Sequence, residues 1–258
     1  MASFSLKDSA LATAKDLLRG GPGFALRAKL GSTLPLGKGE TICVRRGTSD
    51  LEVVRQIYRD EQYWIPQDAQ VARLKRFEAD MVARGKIPVI IDAGANIGAA
   101  ALWFAREWPR AHVVAVEPDP ANAALARTNC AGREKIEIIE AAIGGEPGFV
   151  SVDSEVEAYA VTTERSESGC RVVTVDECLR SVDSGELFAV KIDIEGFEDD
   201  LFAANTSWLD QVKLVYIEPH DHMFADRATS RNFQTEMGRR DFDVLIRGEN
   251  LIYVRREL

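Results

Sequence analysis

Several scarce features narrow the reading of this chain. Its four cysteines, Cys43, Cys130, Cys170 and Cys178, show no C-x-x-C spacing. Neither a cysteine-based zinc site nor a dense disulfide framework is expected, and a reducing, cytoplasmic compartment suits the chain. No apolar run approaches the ~20 residues of a membrane span, and the N-terminus lacks the contiguous apolar core of a secretory signal. There is no internal repeat, no low-complexity tract and no G-x-G-x-x-G dinucleotide fingerprint. The formal net charge of −9 argues against general nucleic-acid binding.

With 258 residues, 46% of them hydrophobic, the chain can bury one sizeable core. Charge is unevenly spread. The first 88 residues carry 15 Lys+Arg against 10 Asp+Glu, and the remainder 17 against 31. A basic front on an acidic body can attract an anionic substrate, or simply form a solvated surface.

The organising stretch is Val89-Ile90-Ile91-Asp92-Ala93-Gly94-Ala95-Asn96-Ile97-Gly98. An apolar, β-branched run reads as a buried strand, an acid closes it, and a glycine turn leads into the helix-forming run from Ala99 to Ala105. Such a turn lets backbone and a helix N-terminus approach a ligand closely. From residue 87 strands and helices alternate. Strands are expected at 88–92, 112–117, 136–140, 188–193 and 212–218, with helices after Gly98, at 120–129, from 193 to about 205, and around 229–238. Further strands at 150–152 and 171–175 flank a polar excursion, 154–169. The segments 242–246 and 251–254, joined by Arg247-Gly248-Glu249-Asn250, read as a closing hairpin. This pattern predicts an α/β, doubly wound, mostly parallel sheet covered on both faces, with an antiparallel terminal hairpin. Residues 1–86 read as a helical N-terminal cap, with helices at 5–19, 51–59 and 69–84, a turn-rich stretch at 30–39 and a short strand at 42–45. Residues 87–258 form the main domain.

Five apolar strands end on an acid: Asp92, Glu117, Glu140, Asp193 and Glu218. Ligands of open parallel sheets bind beyond the carboxyl ends of the strands, so these acids are expected to line one crevice. Crowded carboxylates need a cationic ligand, a metal or hydrogen-bond donors to offset them; helix N-capping is the plainer explanation for one or two of them. Glu117 follows Gly98 by 19 residues, where an acid can accept ribose hydroxyls.

The motifs Ile91-Asp92-Ala93-Gly94-Ala95-Asn96-Ile97-Gly98 and Val116-Glu117-Pro118 resemble the cofactor loop and ribose-binding strand end of class I S-adenosylmethionine-dependent methyltransferases. Within that group the chain is similar to the FkbM family, through Val190-Lys191-Ile192-Asp193-Ile194-Glu195-Gly196-Phe197-Glu198. Supporting matches are Thr48-Ser49-Asp50, Glu61-Gln62-Tyr63 and Ala141-Ala142-Ile143-Gly144. The resemblance spans roughly residues 45–255. It implies a seven-stranded, class I methyltransferase-like sheet and methylation of a hydroxyl, less often an amide, on a small molecule, sugar or natural product. It also implies a cofactor site of Asp92, Gly94, Asn96, Ile97, Gly98, Glu117, Pro118, Ala142 and Asp193.

A methyl acceptor hydroxyl must lose its proton, so a base helps. Candidates are Asp193, Glu195, Glu218 and His220, with His220, Asp193 and Glu195 expected as the catalytic set; His220 alone has an ordinary pKa near neutrality. Tyr63, with Trp64, and Glu218 are expected at the acceptor, although core packing equally explains the aromatics. His220-x-His222 beside the acids makes a divalent metal conceivable; two polar loop residues are the simpler reading, and no metal ligand is assigned. The expected partner is a hydroxylated small molecule, with neither nucleic acid nor membrane, and self-association into a homo-oligomer is left open. Two other functions fit parts of the pattern: a nucleotide-binding oxidoreductase of doubly wound type, which the missing G-x-G-x-x-G opposes, and a non-catalytic cofactor-binding module.

Overall fold

The computed structural model describes residues 33–153 and 162–257. The helix expected at 5–19 and the first half of the polar excursion, 154–161, lie outside the described residues. The chain divides into two compact units, Met1–Gln62 and Tyr63–Leu258.

In the first unit, β1 (Thr33–Gly37) and β2 (Glu40–Cys43) pair antiparallel. The front segment is therefore not wholly helical. Leu34 and Leu36 alternate with less buried neighbours, a strand period that the surrounding glycines and Pro35 obscure in sequence. A short helix α1 (Asp50–Val54) continues as a π-helical turn, Arg55–Arg59. The buried Asp50 carboxylate accepts from the Arg45 backbone N–H at 2.7 Å and its guanidinium at 2.8 Å. These donors more than offset burial, and the Asp50 pKa falls below its ordinary value.

The second unit begins at Tyr63, so the helix expected in the front segment, α2 (Asp68–Ala83), belongs with the main body. It packs against β3 (Ile87–Ala93) and β10 (Gly185–Ile192). The remaining strands of the main sheet are β4 (His112–Glu117), β5 (Ile136–Glu140), β11 (Leu214–Ile217), β12 (Phe242–Arg247) and β13 (Asn250–Arg255). Their order is β12-β13-β11-β10-β3-β4-β5. Five central strands run parallel, and β13 is antiparallel to both β11 and β12. The doubly wound, seven-stranded sheet with its terminal hairpin is thus present as expected. Connecting helices are α3 (Ala99–Glu107), α4 (Pro120–Asn129), α5 (Val175–Arg180), the single turn α6 (Glu198–Leu201) and α7 (Arg231–Gly238). A second sheet, in the order β6-β9-β7-β8, is made by β6 (Ala142–Ile143), β7 (Gly148–Asp153), β8 (Thr162–Ser166) and β9 (Cys170–Val173).

The helix expected from 193 to about 205 is much shorter. Glu195 (φ +53°) and Gly196 (φ +93°) occupy the left-handed region and delay its start, and Asn205 (φ +53°) interrupts the chain again. Elsewhere local signals agree with the outcome. Asp119 caps α4 by accepting from the Asn122 N–H at 2.8 Å with Pro120 at the first helical position, and Thr174 with Glu177 forms a capping box on α5.

Strand alternation feeds two apolar layers. Val215 and Ile217 join a core with Phe233 and Met237. Tyr216, between them, meets Tyr63 and Phe104 at ring separations of 5.3 and 5.6 Å. Tyr63 also stacks on Phe104 at 5.4 Å and meets Trp103 edge-on, and its carbonyl accepts from the Tyr216 hydroxyl at 3.0 Å. Tyr63 is therefore a core aromatic rather than a mobile lid; Trp64 beside it is 46% exposed. Phe104 sits in the middle of this group with no exposed surface. Phe104→Ala should lower stability by about 3–5 kcal/mol, from lost burial plus the cavity left behind. Denaturant unfolding measures this, and a loss under ~1 kcal/mol would show that the cluster is not packed as described.

Candidate functional site

The five strand-terminal acids all lie at the carboxyl edge of the parallel strands, and four of them enter one electrostatic network. Glu140 does not. It sits on the edge strand β5, is exposed, and pairs with Arg127 of α4 at 2.9 Å. The expected ring of five is a group of four, because an edge strand has a neighbouring helix to answer its acid.

Asp92 has no exposed surface, and its Oδ1 lies 3.2 Å from Lys191 Nζ. Burial pushes the Asp92 pKa up, and Lys191 works against that rise. Lys191 is almost wholly buried within β10 and donates to the carbonyls of Gly94 at 2.6 Å and Ala93 at 3.2 Å. Its Nζ also stands 3.5 Å from Asp193 Oδ2. Burial disfavours the ammonium, but Asp92 and Asp193 outweigh that cost and hold its pKa above the usual lysine range. No role was expected for Lys191 from sequence; the available signal is one cation inside the apolar run from Phe188 to Ile192.

The loop between β3 and α3 is fixed on several sides. The Gly94 and Ala95 N–H groups both donate to the Val116 carbonyl at 3.0 Å. Asn96 N–H donates to Glu117 Oε2 at 2.7 Å, and Asn129 Nδ2 to the Ile97 carbonyl at 2.9 Å. The two glycines answer protein contacts. A Cβ on Gly94 (φ +77°) would stand 1.8 Å from the Asp193 carbonyl oxygen, and one on Gly98 (φ +82°) 3.0 Å from Cys130 Sγ. The Oδ1 of Asn96 is buried and has no hydrogen-bond partner among the described residues.

Glu117 also accepts on Oε1 from Asp119 N–H at 3.1 Å and Asn122 Nδ2 at 3.2 Å. Burial raises its pKa, partly offset by these donors. Of about four acceptor positions on a carboxylate, donors among the described residues fill three. Pro118 follows it, half-buried, with its carbonyl 3.8 Å from Cys170 Sγ. Ala141 and Ala142 are buried, and Ala141 N–H donates to the Glu117 carbonyl at 3.1 Å. These small side chains stand next to Glu117.

On the other side of Gly94 the expected catalytic residues come together. His220 is buried, with its Nδ1 2.7 Å from Glu198 Oε1. Its Nε2 lies 3.6 Å from both Asp193 Oδ1 and Glu195 Oε2. Burial opposes the imidazolium, but Glu198, then Asp193 and Glu195, outweigh it and place the His220 pKa at about 9. His220, expected as a base, thus sits where the surrounding acids favour its protonated form. Burial, reinforced by Asp193, raises Glu195 to about 7 and Glu218 to about 8. Glu198 went without a role in the sequence reading; its signal is an acid three residues after Glu195. His222 is exposed, and its ring lies 6.1 Å from that of His220. The donors that can converge on a cation are instead Asp193, Glu195 and His220, whose ligand atoms lie within 4.8 Å of one another.

Against known families, the Methyltransferase FkbM domain matches residues 92–243. The chain is 24% identical over 208 residues to a 2-O-methyltransferase NoeI of Sinorhizobium fredii, covering 69% of this chain and 73% of that protein. Among solved structures, it is similar to an SAH-bound methyltransferase, PaMTH1, of Podospora anserina. The identity is 14%, coverage 80% of this chain and 86% of that one, and the TM-score 0.42. It is also similar to a methyltransferase of Geobacter sulfurreducens, at 17% identity, 76% and 93% coverage, and a TM-score of 0.38.

The acid cluster has a consequence for stability. Glu218 and His220 both have folded pKa values above their ordinary 4.5 and 6.5. The folded state therefore binds more protons than the unfolded one, and stability falls as pH rises from about 5 to 9. Glu218→Gln removes that residue's share of the linkage, leaving that of Glu195, and should flatten the decline between about pH 5 and 8. Denaturant midpoints measured across that range test it; an unchanged slope would contradict the assignment.

Proposed function

Since the chain belongs to the FkbM methyltransferase domain family and is a methyltransferase, we propose that it transfers a methyl group from S-adenosylmethionine to a hydroxyl of a small molecule, sugar or natural product. The observation that carries this reading is the meeting, at one rim of the sheet, of two different sites. One is the Asn96 loop with Glu117, and the other is the carboxylate group around His220. The NoeI relative's description as a 2-O-methyltransferase supports an oxygen acceptor.

The residues fit the cofactor. The unpartnered Asn96 Oδ1 and the open position on Glu117 suit the hydroxyls and amines of an adenosyl amino acid. The small, buried Ala141 and Ala142 leave room for a flat ring beside Glu117. Asp193, partly exposed at the end of β10, suits the ammonium or sulfonium end. When bound, S-adenosylmethionine supplies an electrophilic methyl carbon whose bonding pair returns to sulfur on transfer.

The chain's own residues hold the acceptor oxygen in line and take its proton. Most of the rate can come from that positioning. Glu195, partly exposed and poised near neutrality, accepts the hydroxyl proton, and the freed oxygen pair forms the new C–O bond. Glu218 borders the same cluster and contributes to acceptor binding. Tyr63 supports the site from the core.

Calorimetry tests the reading directly. The pure protein should bind S-adenosylmethionine and not NADH; NADH binding without S-adenosylmethionine binding would favour the oxidoreductase reading. Glu117→Ala should weaken cofactor affinity at least about fivefold, ~1 kcal/mol. Unchanged affinity would remove Glu117 from the site.

A further inference from the structure

We propose that Glu198 is a positioning residue that holds His220 as a fixed positive post. His220 Nε2–H then faces Asp193 and Glu195, and the acceptor's proton goes to a carboxylate rather than to the imidazole. The inference rests on the proposed function for the proton's destination, but the geometry of the post stands without it.

Glu198 is buried in α6, with Oε1 2.7 Å from His220 Nδ1. The same oxygen accepts from the Gly196 N–H at 3.3 Å. That bond closes the left-handed turn through Glu195 and Gly196 that presents Glu195 beside Asp193. Phe224 packs over the turn, and a Cβ on Gly196 would come within 2.2 Å of its ring. One carboxylate thus sets both the imidazole and the residue opposite it.

The ring's charge follows from this arrangement. A neutral imidazole donates from one nitrogen only. Here acids stand at both: Glu198 at Nδ1, and Asp193 and Glu195 at Nε2. The other groups near His220 are Glu218, whose acid favours the imidazolium, Lys191, which lies against Asp193, and the exposed His222. Acids outnumber cations around the ring, so both nitrogens keep their protons.

The test is imidazole 15N NMR on the full chain, with His220→Asn used to assign the His220 signals among three histidines. No acceptor or cofactor is needed, so the result is independent of whether S-adenosylmethionine binds. The wild-type His220 ring should show both nitrogens protonated at pH 7 and titrate well above the other histidines. A neutral ring at pH 7 would overturn the proposal. Glu198→Gln should lower the His220 midpoint by at least ~1 pH unit, and Glu198→Asp should restore part of it. An unchanged midpoint in folded Glu198→Gln would also overturn it. If that variant fails to fold, the wild-type spectrum at pH 7 decides alone.

Discussion

The Lys191 ammonium lies at the centre of this site, and the other parts are arranged around its charge. It is buried inside the sheet, where an unpaired cation would be very costly. It escapes that cost by engaging the Asp92 and Asp193 carboxylates and the Ala93 and Gly94 carbonyls together. The partners come from two adjacent parallel strands. Removing the charge would strand the buried Asp92 and release the loop that follows it. The Gly94 loop and the Asp193 end of β10 are therefore one unit, and the absence of a side chain on Gly94 is what lets their backbones meet.

A second basic side chain repeats the arrangement on the outer side. His220 stands among Glu198, Asp193 and Glu195 much as Lys191 stands between Asp92 and Asp193. Two basic side chains, Lys191 and His220, divide the crowded acids into groups. Asp92 pairs with Lys191, and Glu117 accepts from the Asn96 N–H. Asp193, Glu195 and Glu218 keep partial exposure. A negative rim of this kind suits a positively charged methyl donor, and one raised carboxylate within it suits a proton acceptor.

Much of this was legible in the sequence, for identifiable reasons. Parallel strands need apolar runs, and the buried 112–117 and the edge strand 136–140 match the observed bounds because nothing else in those segments competes. The hairpin at Arg247 to Asn250 and the acids at strand ends follow from local pattern alone. What was missed depends on distant partners. Lys191 reaches carbonyls 97 and 98 residues away, and Glu198 meets His220 22 residues on. Glu140 resembles its fellow acids until Arg127 is seen beside it. Tyr63 followed a turn-like stretch, so its place in the Phe104 cluster was hidden. The β1–β2 hairpin was masked by glycines that form its turn.

Replacing Lys191 tests the central claim most directly. Lys191→Met keeps the apolar stem and removes the charge. The account predicts a loss of about 3–5 kcal/mol in folding stability and at least tenfold weaker calorimetric binding of S-adenosylmethionine. A variant that unfolds at the wild-type denaturant concentration and binds the cofactor within twofold of wild type would contradict it.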